Sequence, residues 1–375
     1  MKIGIDASRA FLKKRTGIEE YSYQVIKHLR DVLSKDAEVV LYVRKKLAIK
    51  NWQLKICTPD IDFELPPNWR VKGLWAPRLW TQVRLSIEML LHRPEVLFVP
   101  AHTVPIIHPK QTIVTIHGLE YEFVPESYSW YERIYMRFSI RNSVRWAEKV
   151  IAVSENTKHD LVRLYGVSKE KINVVYEGVN WYQGLDAKYS MLDTKYFLFI
   201  GRVEERKNAI RIIEAFELFK QQTNLSHKLI LAGKPGYGYE KIRDKIRGAT
   251  YRRDIVELGY IEEGEKWELL KRAEALMFPS LYEGFGLPVL EAQMVGTPVI
   301  TSNTSSLPEI AGKGALLVDP LSAEALSDAL RQIVMDKELR AGIIDKATQN
   351  VDRFSWTHCA QEVAQIFLAP KAVSK

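Results

Sequence analysis

The segment PSLYEGFGLPVLEAQMVGTPVITSN, residues 279–303, decides the fold of this chain. It begins at the end of one short apolar run, residues 275–280, and closes with another, residues 297–303. This pattern predicts a strand, a Gly-rich loop, a helix and a second strand. Pro288 fits a first-turn position, so the helix is predicted over 288–295. Strand–helix–strand units of this kind are typical of a parallel sheet.

Two glutamates flank the Gly-rich loop, Glu283 within it and Glu291 eight residues later. We expect Glu291 in the first turn of the helix. The amides and the dipole at that helix end favour a bound phosphate, and Gly284 and Gly286 let the backbone approach a ligand closely. The carboxylates can accept hydrogen bonds from sugar hydroxyls, so the loop is a candidate sugar-phosphate site. Two glutamates at this spacing are common by chance and carry little weight alone.

A second polar cluster, FIGRVEERKN (199–208), follows another apolar run. Arg202 comes directly after the predicted strand, and Lys207 follows five residues later. Two cations at the end of a strand could neutralise a diphosphate in place of a divalent metal. The alternative is a solvated cluster of mixed charges.

Short apolar runs separated by amphipathic stretches occupy the whole chain and predict two series of βα units. The strands of the first series are predicted at 2–7, 38–43, 95–100, 112–118, 149–154 and 172–180. Those of the second series are predicted at 196–202, 227–233, 254–261, 275–280, 297–303 and 314–320. The predicted fold class is therefore α/β, with two Rossmann-like domains facing across a cleft.

The domain boundaries follow from a polar stretch without clear periodicity at 181–194, the predicted linker. We assign residues 1–180 to an N-terminal domain and 181–355 to a C-terminal domain. Residues 356–375 contain a last helix that is predicted to cross back onto the first domain. Because open parallel sheets bind ligands beyond the carboxyl ends of their strands, polar residues just after strands are candidates, among them Asp6, His117, Ser154 and Arg202.

The combined motifs resemble the family-4 glycosyltransferases of the GT-B fold, a group of retaining enzymes. Their Glu-x7-Glu signature is similar to EGFGLPVLE (283–291), and GRVEERKN (201–208) and SSLPEI (305–310) resemble two further family segments. In the first half, TGIE (16–19), His117-Gly118 and VSENTK (153–158) resemble the family too. The resemblance covers nearly the whole chain. It implies that the N-terminal domain lies on the acceptor side and that the C-terminal domain binds a nucleotide-sugar.

For the second half, the resemblance implies that Glu291 holds the ribose hydroxyls of a nucleotide-sugar. Glu283 would contact the hydroxyls of the donor sugar, and Arg202 and Lys207 would bind the diphosphate. The backbone amides that would help are those of Phe285, Gly286 and Leu287.

For the first half, the resemblance implies that Gly17 lets a loop close over the diphosphate and that His117 contacts the transferred sugar. Ser154 is assigned to the donor site on the same basis. Each has a structural alternative: a turn or helix-start glycine, a core histidine, and a cap for the following helix. The family often has two glycines where this chain has Thr16-Gly17, and His-Asp where it has His117-Gly118.

The net charge of +8 arises in the first half, since residues 1–180 hold 28 Lys and Arg against 20 Asp and Glu. An acidic partner on that side is one interpretation, and an inconsequential basic surface is the other. Arg133, Arg137, Arg141 and Arg145 recur every four residues among aromatic residues. On a helix they could meet an anionic membrane or a lipid-diphosphate acceptor, or they could simply be solvated. A second candidate segment of this kind, or an ordinary helix, covers 74–93.

Other function classes are disfavoured. The two cysteines, Cys57 and Cys359, form neither a disulfide framework nor a zinc cluster, which favours a reducing cytoplasm. No apolar run approaches the length of a membrane span, no leader is apparent, and no nucleic-acid-binding signature is present. Asp60-Ile61-Asp62 is interpreted as a loop and not as a metal site.

The predicted activity is a retaining hexosyl transfer that needs no metal and no cofactor, from a nucleotide-sugar to a glycan or lipid-linked acceptor. GDP-mannose is the favoured donor because NTSSLPE (303–309) resembles bacterial mannosyltransferases of surface polysaccharide synthesis; UDP-sugars stay open. The expected location is the cytoplasm, including the inner face of the membrane. The alternatives are a nucleotide-sugar 2-epimerase on a similar fold and a non-catalytic sugar-binding protein.

Overall fold

The computed structural model describes residues 1–12, 14–50, 53–57, 61–76, 79–180 and 194–368. The chain divides into two compact units. The first comprises Met1–Gly118, Ile134–Gly178 and Ser355–Lys375, and the second comprises Leu119–Arg133 and Val179–Phe354. Each unit has its own, mainly parallel sheet with helices, as the two predicted series of βα units require.

The first unit is built on an eight-stranded sheet in the order β3-β2-β1-β5-β6-β7-β8, with β4 paired to β2. Its strands are β1 (Lys2–Asp6), β2 (Glu38–Lys50), β3 (Gln53–Cys57), β4 (Trp69–Trp75), β5 (Val96–Val99), β6 (Gln111–Ile116), β7 (Lys149–Ala152) and β8 (Ile172–Val174). All four residues of β5 are buried, which explains why its sequence is a continuous apolar run.

Helices of the first unit flank this sheet. They are α1 (Gly17–Val32), α2 (Ser86–Leu91), α5 (Glu155–Tyr165) and α13 (Trp356–Leu368), together with most of α4 (Trp130–Trp146). The chain leaves β1 to pair with β2 on one side and later adds β5 on the other side. The topological switch point of this sheet therefore lies between β1 and β5.

The last helix, α13, packs against α1 in the first unit. Its Phe367 carbonyl accepts a hydrogen bond from Gln111 Nε2 at 2.9 Å, and the rings of Tyr21 and Trp356 lie 6.1 Å apart. At Gly178 the start of α13 leaves no room for a side chain, because an added Cβ would lie 2.2 Å from the backbone nitrogen of Trp356.

The second unit carries a six-stranded sheet in the order β11-β10-β9-β12-β13-β14. Its strands are β9 (Tyr196–Ile200), β10 (Lys228–Ala232), β11 (Ile255–Gly259), β12 (Ala275–Phe278), β13 (Val299–Ser302) and β14 (Leu316–Val318). Every described pairing in it is parallel. Here β9 pairs with β10 on one side and β12 on the other, so the switch point lies between β9 and β12.

Helices of the second unit bury its sheet on both faces, which gives two apolar clusters. Strand β9 contributes to both, with Phe197 and Phe199 on one face and Leu198 on the other. The helices are α3 (Glu120–Phe123), α6 (Ala209–Thr223), α7 (Tyr239–Gly248), α8 (Glu263–Arg272), α9 (Leu287–Met294), α10 (Leu307–Ala311), α11 (Ala323–Met335) and α12 (Lys337–Val351).

Residues 119–133, placed in the N-terminal domain by the predicted boundary, belong to the second unit in the structure. The rings of Phe123 and Tyr282 stack with centroids 4.5 Å apart, and the Leu119 amide donates to the Tyr282 hydroxyl at 3.4 Å. These contacts between distant parts of the chain are the physical reason for the difference. The predicted linker, 181–194, lies almost wholly outside the described residues.

The segment 74–93 differs from an ordinary helix. Strand β4 continues to Trp75, a π-helical turn covers Trp80–Leu85, and only Ser86–Leu91 is α-helical. Strands β3 and β4 were not predicted, because 53–57 and 69–75 mix polar and apolar residues and lack the continuous apolar run of the interior strands. Over the described part of the chain, no helix is both long and apolar enough to span a membrane.

Candidate functional site

The predicted donor residues of the second half gather after the two strands that flank its switch point. Arg202 and Lys207 follow β9, and Glu283 follows β12. Ligands of open parallel sheets bind beyond the carboxyl ends of strands at such a point. Asn208 joins the two regions, since its Nδ2 donates to the carbonyl oxygens of Pro279 at 3.0 Å and Pro320 at 2.6 Å.

Glu283 is the centre of a buried ionic cluster. Its Oε1 lies 2.5 Å from Lys207 Nζ and 3.6 Å from Arg206 Nη1. Burial opposes the charged form of the carboxyl, but the neighbouring Lys207 and Arg206 outweigh it and hold the pKa of Glu283 below its ordinary value. The carboxylate is therefore ionised at neutral pH, with oxygens able to accept hydrogen bonds from a sugar.

Arg206 was not predicted at this site, yet it is more deeply involved than Arg202. Its guanidinium donates to the Tyr282 carbonyl oxygen and to Glu204, both at 3.0 Å. Burial opposes its charge, but the surrounding acidic groups, Glu283 first, raise the pKa of Arg206. Arg202 is exposed, and none of the ion pairs found among the described residues includes it. Its side chain is therefore available to a ligand.

The loop that carries Glu283 is braced by the SSLPEI segment. Ser305 Oγ accepts from the Glu283 amide at 3.1 Å. Ser306 Oγ is 3.0 Å from the Glu283 carbonyl oxygen and 2.6 Å from that of Phe285. These contacts fix the backbone on both sides of the Glu283 carboxylate. They give the SSLPEI segment a structural role beside the Glu-x7-Glu motif.

Helix α9 begins at Leu287 with Gly286 as its cap residue. The φ of Gly286 is +121°, and an added Cβ would lie 2.9 Å from Leu307 Cδ2, so glycine is required here. In the first turn of α9, the Val289 amide donates to the Gly286 carbonyl oxygen at 3.0 Å and Pro288 has no amide hydrogen, so this helix start can contribute the Leu287 amide and the positive end of the helix dipole to an anion site. The predicted amides of Phe285, Gly286 and Leu287 lie in this region.

The prediction that Glu291 lies in the first turn of α9 is wrong. The helix starts at Leu287, so Glu291 is its fifth residue and lies one turn further on. Its Oε1 accepts from Lys266 Nζ at 2.7 Å, and the same lysine reaches Glu263 at 2.8 Å. Burial opposes the charge of Lys266, but Glu291 and then Glu263 raise its pKa. Lys266, a residue of α8, was missed because no local spacing connects it with Glu291.

The predicted site residues of the first unit differ in whether their surroundings fit a ligand contact. Gly17 is the first residue of α1, and an added Cβ would have nothing within 4 Å. A capping box between Thr16 and Glu19 fixes this helix start. Open space at Gly17 fits a position that a ligand approaches.

His117 uses both ring nitrogens inside the first unit. Its Nδ1 is 3.2 Å from Glu177 Oε1, and its Nε2 is 2.8 Å from the Pro100 carbonyl oxygen. Its ring also meets Tyr21 edge-on at 4.6 Å. A sugar contact through either nitrogen would have to replace one of these hydrogen bonds, so this geometry supports the structural alternative.

Ser154 likewise has a structural role. It caps α5, its Oγ accepts from the Thr157 amide at 3.1 Å, and it has no exposed surface. The geometry therefore assigns it the capping role and offers no surface for the predicted donor contact.

Two further groups lie at the switch point of the first sheet. Asp6 ends β1, and its Oδ1 accepts from Trp80 Nε1 at 3.1 Å. Burial raises the pKa of Asp6. His102 follows β5; burial and then the nearby His117 lower its pKa well below the ordinary value, so the ring is neutral. The sequence had marked Asp6 as a strand-end residue, whereas His102 gave no signal.

Among the described residues, no group of three or more His, Cys, Asp or Glu side chains is arranged to hold a metal ion. Asp60 lies outside the described residues, and Asp62 accepts a hydrogen bond from the Tyr23 hydroxyl at 2.9 Å. The cationic side chains that follow β9 are Arg202, Arg206 and Lys207.

Sequence comparison divides the chain as the two sheets do. Residues 16–181 match the family described as Glycosyltransferase Family 4, and residues 186–350 match the one described as Glycosyl transferases group 1. The chain is 26% identical to the O-antigen chain mannosyltransferase RfbU of Salmonella typhimurium, over 94% of this chain and 95% of that protein. It is 27% identical to the O-antigen chain mannosyltransferase B of Escherichia coli, over 69% and 70% respectively.

Solved structures show the same fold. The sucrose-phosphate synthase of Thermosynechococcus elongatus aligns with a TM-score of 0.76 at 19% identity, covering 98% of both chains. The Anabaena protein HepE, in complex with UDP and glucose, aligns with a TM-score of 0.71 at 15% identity, covering 98% of this chain and 99% of its own.

Proposed function

The chain belongs to the family-4 glycosyltransferases of the GT-B fold, and we propose that it transfers mannose from GDP-mannose, with retention of configuration and without a metal ion. The proposed acceptor is a glycan or a lipid-linked sugar of surface polysaccharide synthesis. The proposed location is the cytoplasm, at the inner face of the membrane.

The observation that carries the proposal is the cluster of Lys207, Arg206 and Glu283 at the switch point of the second sheet. In this cluster Glu283 pairs with Lys207 and Arg206, and Arg206 pairs with Glu204 as well. A diphosphate offers the cations a stronger partner, which releases the carboxylate to accept hydrogen bonds from the hydroxyls of the donor sugar. Arg202 adds a further cation from the exposed end of β9.

We match the remaining parts of the donor, the phosphate next to the sugar and the ribose, to residues by their chemistry. The amides at the start of α9, near Phe285, Gly286 and Leu287, stabilise the phosphate next to the sugar. Glu291, held by Lys266 at 2.7 Å, accepts hydrogen bonds from the ribose hydroxyls. Gly17 keeps the role that the family resemblance implies, over the diphosphate, whereas His117 could contact the sugar only by exchanging its hydrogen bond to Glu177 or to the Pro100 carbonyl oxygen.

Metal independence is proposed because fixed cations can do the electrostatic work. When the glycosidic bond breaks, negative charge develops on the leaving phosphate, and nearby Arg and Lys side chains stabilise it. In same-face attack the leaving phosphate takes the proton of the acceptor hydroxyl as the new bond forms. Such a step retains configuration and needs no side chain as the base.

Mannose is favoured because the two O-antigen relatives are named mannosyltransferases. Sequence identities of 26–27% to these relatives support mannose as the transferred sugar. The nucleotide of the donor is assigned by the test below. The structure of HepE is a complex with UDP and glucose, so UDP-glucose and UDP-N-acetylglucosamine are tested as donors beside GDP-mannose.

The experiment is a donor panel of GDP- and UDP-sugars with excess EDTA, with and without membrane extract as a source of acceptor. We expect release of GDP from GDP-mannose only, and incorporation of labelled mannose into a glycan or lipid product. Incorporation from a UDP-sugar instead would overturn the donor assignment. Formation of a free epimerised sugar, or tight donor binding without any turnover, would overturn the transferase proposal in favour of an epimerase or a sugar-binding protein.

A further inference from the structure

Helix α4 is oriented in an unusual way. Its buried residues are Ser139, Ile140, Ser143 and Val144, so serines and short apolar residues face the interior. Four of its five aromatic residues are exposed, namely Trp130, Tyr131, Tyr135 and Phe138, while Trp146 stacks on His108. A surface helix of a soluble protein normally buries its apolar stripe and exposes its polar one. On α4 this arrangement is partly inverted.

The exposed side of α4 within the first unit carries Ile134, Tyr135 and Phe138, and Phe138 is 68% exposed. These three residues lie one turn apart or less on one face of the helix. Trp130 and Tyr131, at the start of the same helix, are exposed as well. Single exposed apolar residues are ordinary, but contiguous ones mark an interaction surface.

A second exposed apolar face lies on α2 and the π-helical turn before it. Leu79, Val83, Ile87 and Leu90 recur at helical spacing, and all four are exposed. Leu90 is 63% exposed. The sequence marked 74–93 as a second candidate segment for such a contact, with an ordinary helix as the alternative, but did not indicate which of its residues are exposed.

Both helices are fixed to the same loop, residues 103–107. From α2, Ser86 Oγ accepts from the Ile107 amide at 3.3 Å. From α4, Ser143 Oγ accepts from the Val104 amide at 2.9 Å. Between these two anchors, Ile106 is exposed. The exposed faces of α2 and α4 therefore belong to one region of the first unit, here termed the α2–α4 surface.

The charges of this region identify its partner. Helix α4 contains four arginines and one glutamate. Three of these arginines are exposed, namely Arg137, Arg141 and Arg145. They lie on the same side of α4 as the exposed aromatic residues, toward the end of the helix. Aromatic side chains settle at the boundary between headgroups and acyl chains, while arginines pair with anionic headgroups. An apolar protein surface would match the aromatic residues but would offer the arginines no negative charge.

We propose that the α2–α4 surface binds the first unit to an anionic lipid bilayer. The proposal goes beyond the transferase activity, because the surface contains none of the residues assigned to the donor. A lipid-linked acceptor would be met at the same membrane, but binding to the bilayer requires neither donor nor acceptor.

The test is co-sedimentation of the full chain with vesicles of phosphatidylcholine alone or mixed with phosphatidylglycerol. We expect binding only to the anionic vesicles, weakened by added salt. The double variant Tyr135→Ser/Phe138→Ser should reduce the partition coefficient about tenfold through lost apolar burial. Leu90→Ser/Leu91→Ser should act in the same direction. Arg141→Glu/Arg145→Glu should abolish the preference for anionic lipid.

The matched control is Leu321→Ser/Met335→Ser, which removes two exposed apolar residues from the second unit. It should bind vesicles as the unchanged protein does. Because all substituted side chains are exposed, the variants should fold, and GDP-mannose binding by each variant checks this independently of the membrane. Equal binding to both kinds of vesicle, or to neither, would overturn the proposal. So would a dimer that the Tyr135/Phe138 variant converts to monomer, since the partner would then be a second copy of the chain.

Discussion

Lys266 Nζ lies 2.7 Å from Oε1 of Glu291, although the two residues come from different helices, α8 and α9. The side chains are 15% and 16% exposed, so the ion pair is largely shielded from water. Glu263 binds the other side of the lysine. Lys266 thereby holds Glu291 in one orientation, which is the property expected of a residue that positions a ribose-binding carboxylate.

Replacing Lys266 with Met should weaken nucleotide binding. We expect the Kd for GDP to rise about tenfold, roughly 1.4 kcal/mol, because Glu291 loses the partner that orients it. The KM for the donor should rise in parallel while kcat changes little, since ribose contacts are the same in the ground and transition states. Isothermal titration calorimetry and steady-state kinetics give these values.

Two variants separate positioning from a general structural effect. Lys266→Arg keeps the charge and should restore most of the affinity. Lys271→Met removes an exposed lysine of the same helix and should leave the Kd unchanged. An unaltered GDP affinity in Lys266→Met would show that Glu291 does not depend on this lysine.

A methyl group at Gly17 tests whether a ligand approaches the start of α1. Because nothing lies within 4 Å of an added Cβ, Gly17→Ala should fold normally, and its stability should be equal or slightly higher. If the amide of this residue must come close to a diphosphate, turnover should fall about tenfold or more. Gly342→Ala, with equally open surroundings in α12, is the control and should retain full activity. Full activity in Gly17→Ala would leave Gly17 as a helix-start residue only.

Features set by local sequence were predictable from the sequence alone. The five residues of β9 are all buried, so their apolar run indicated a strand of the interior. The bounds of α13, Trp356–Leu368, agree with the predicted helix. Glu283 and Lys207 follow strands at a switch point, so a strand-end rule is enough to predict that they lie together. Arg202 follows the same strand as Lys207 and is exposed.

Features that depend on distant packing were not predictable. Nothing in residues 119–133 indicates that Phe123 stacks on Tyr282, which places this segment in the second unit. Arg206 adjoins Lys207 in sequence, but only the fold of the 3-10 turn Glu205–Lys207 decides that it faces Glu283. For α4, the four-residue spacing identified a stripe of arginines but not the side of the helix that would be buried.

Acid should weaken the ionic cluster around Glu283. The pKa of its carboxyl is below the ordinary value of 4.5, so ionised Glu283 stabilises the folded protein fully above pH 4.5. This contribution is lost as the pH falls below 4.5 toward the folded-state pKa. At pH 7, Glu283→Gln should therefore lower the free energy of unfolding by about 3 kcal/mol, because Lys207 loses its counter-charge and Arg206 keeps, among the described residues, only its ion pair with Glu204.

Urea denaturation at pH 7 and at acid pH measures this difference. The difference in the free energy of unfolding between Glu283→Gln and the unchanged protein should narrow below pH 4.5, where Glu283 is protonated in the unfolded chain before it is protonated in the folded protein. Glu338→Gln, at an exposed position of α12, should show no gap at either pH. If the difference in the free energy of unfolding stays constant on acidification, the ionised carboxylate of Glu283 is not the source of the stability.

Gly178 should tolerate no side chain. Its Cβ would lie 2.2 Å from the backbone nitrogen of Trp356 and 2.6 Å from Cγ of that residue, so Ala can be accommodated only if the start of α13 moves. Gly178→Ala should therefore lower the free energy of unfolding by about 3 kcal/mol, as overpacking of a close contact does. Gly248→Ala, where a Cβ meets nothing within 4 Å, should unfold at the same temperature as the unchanged protein. Thermal unfolding followed by circular dichroism compares the three proteins. Equal melting temperatures for Gly178→Ala and the unchanged protein would mean that α13 does not pack against Gly178 as tightly as these distances require.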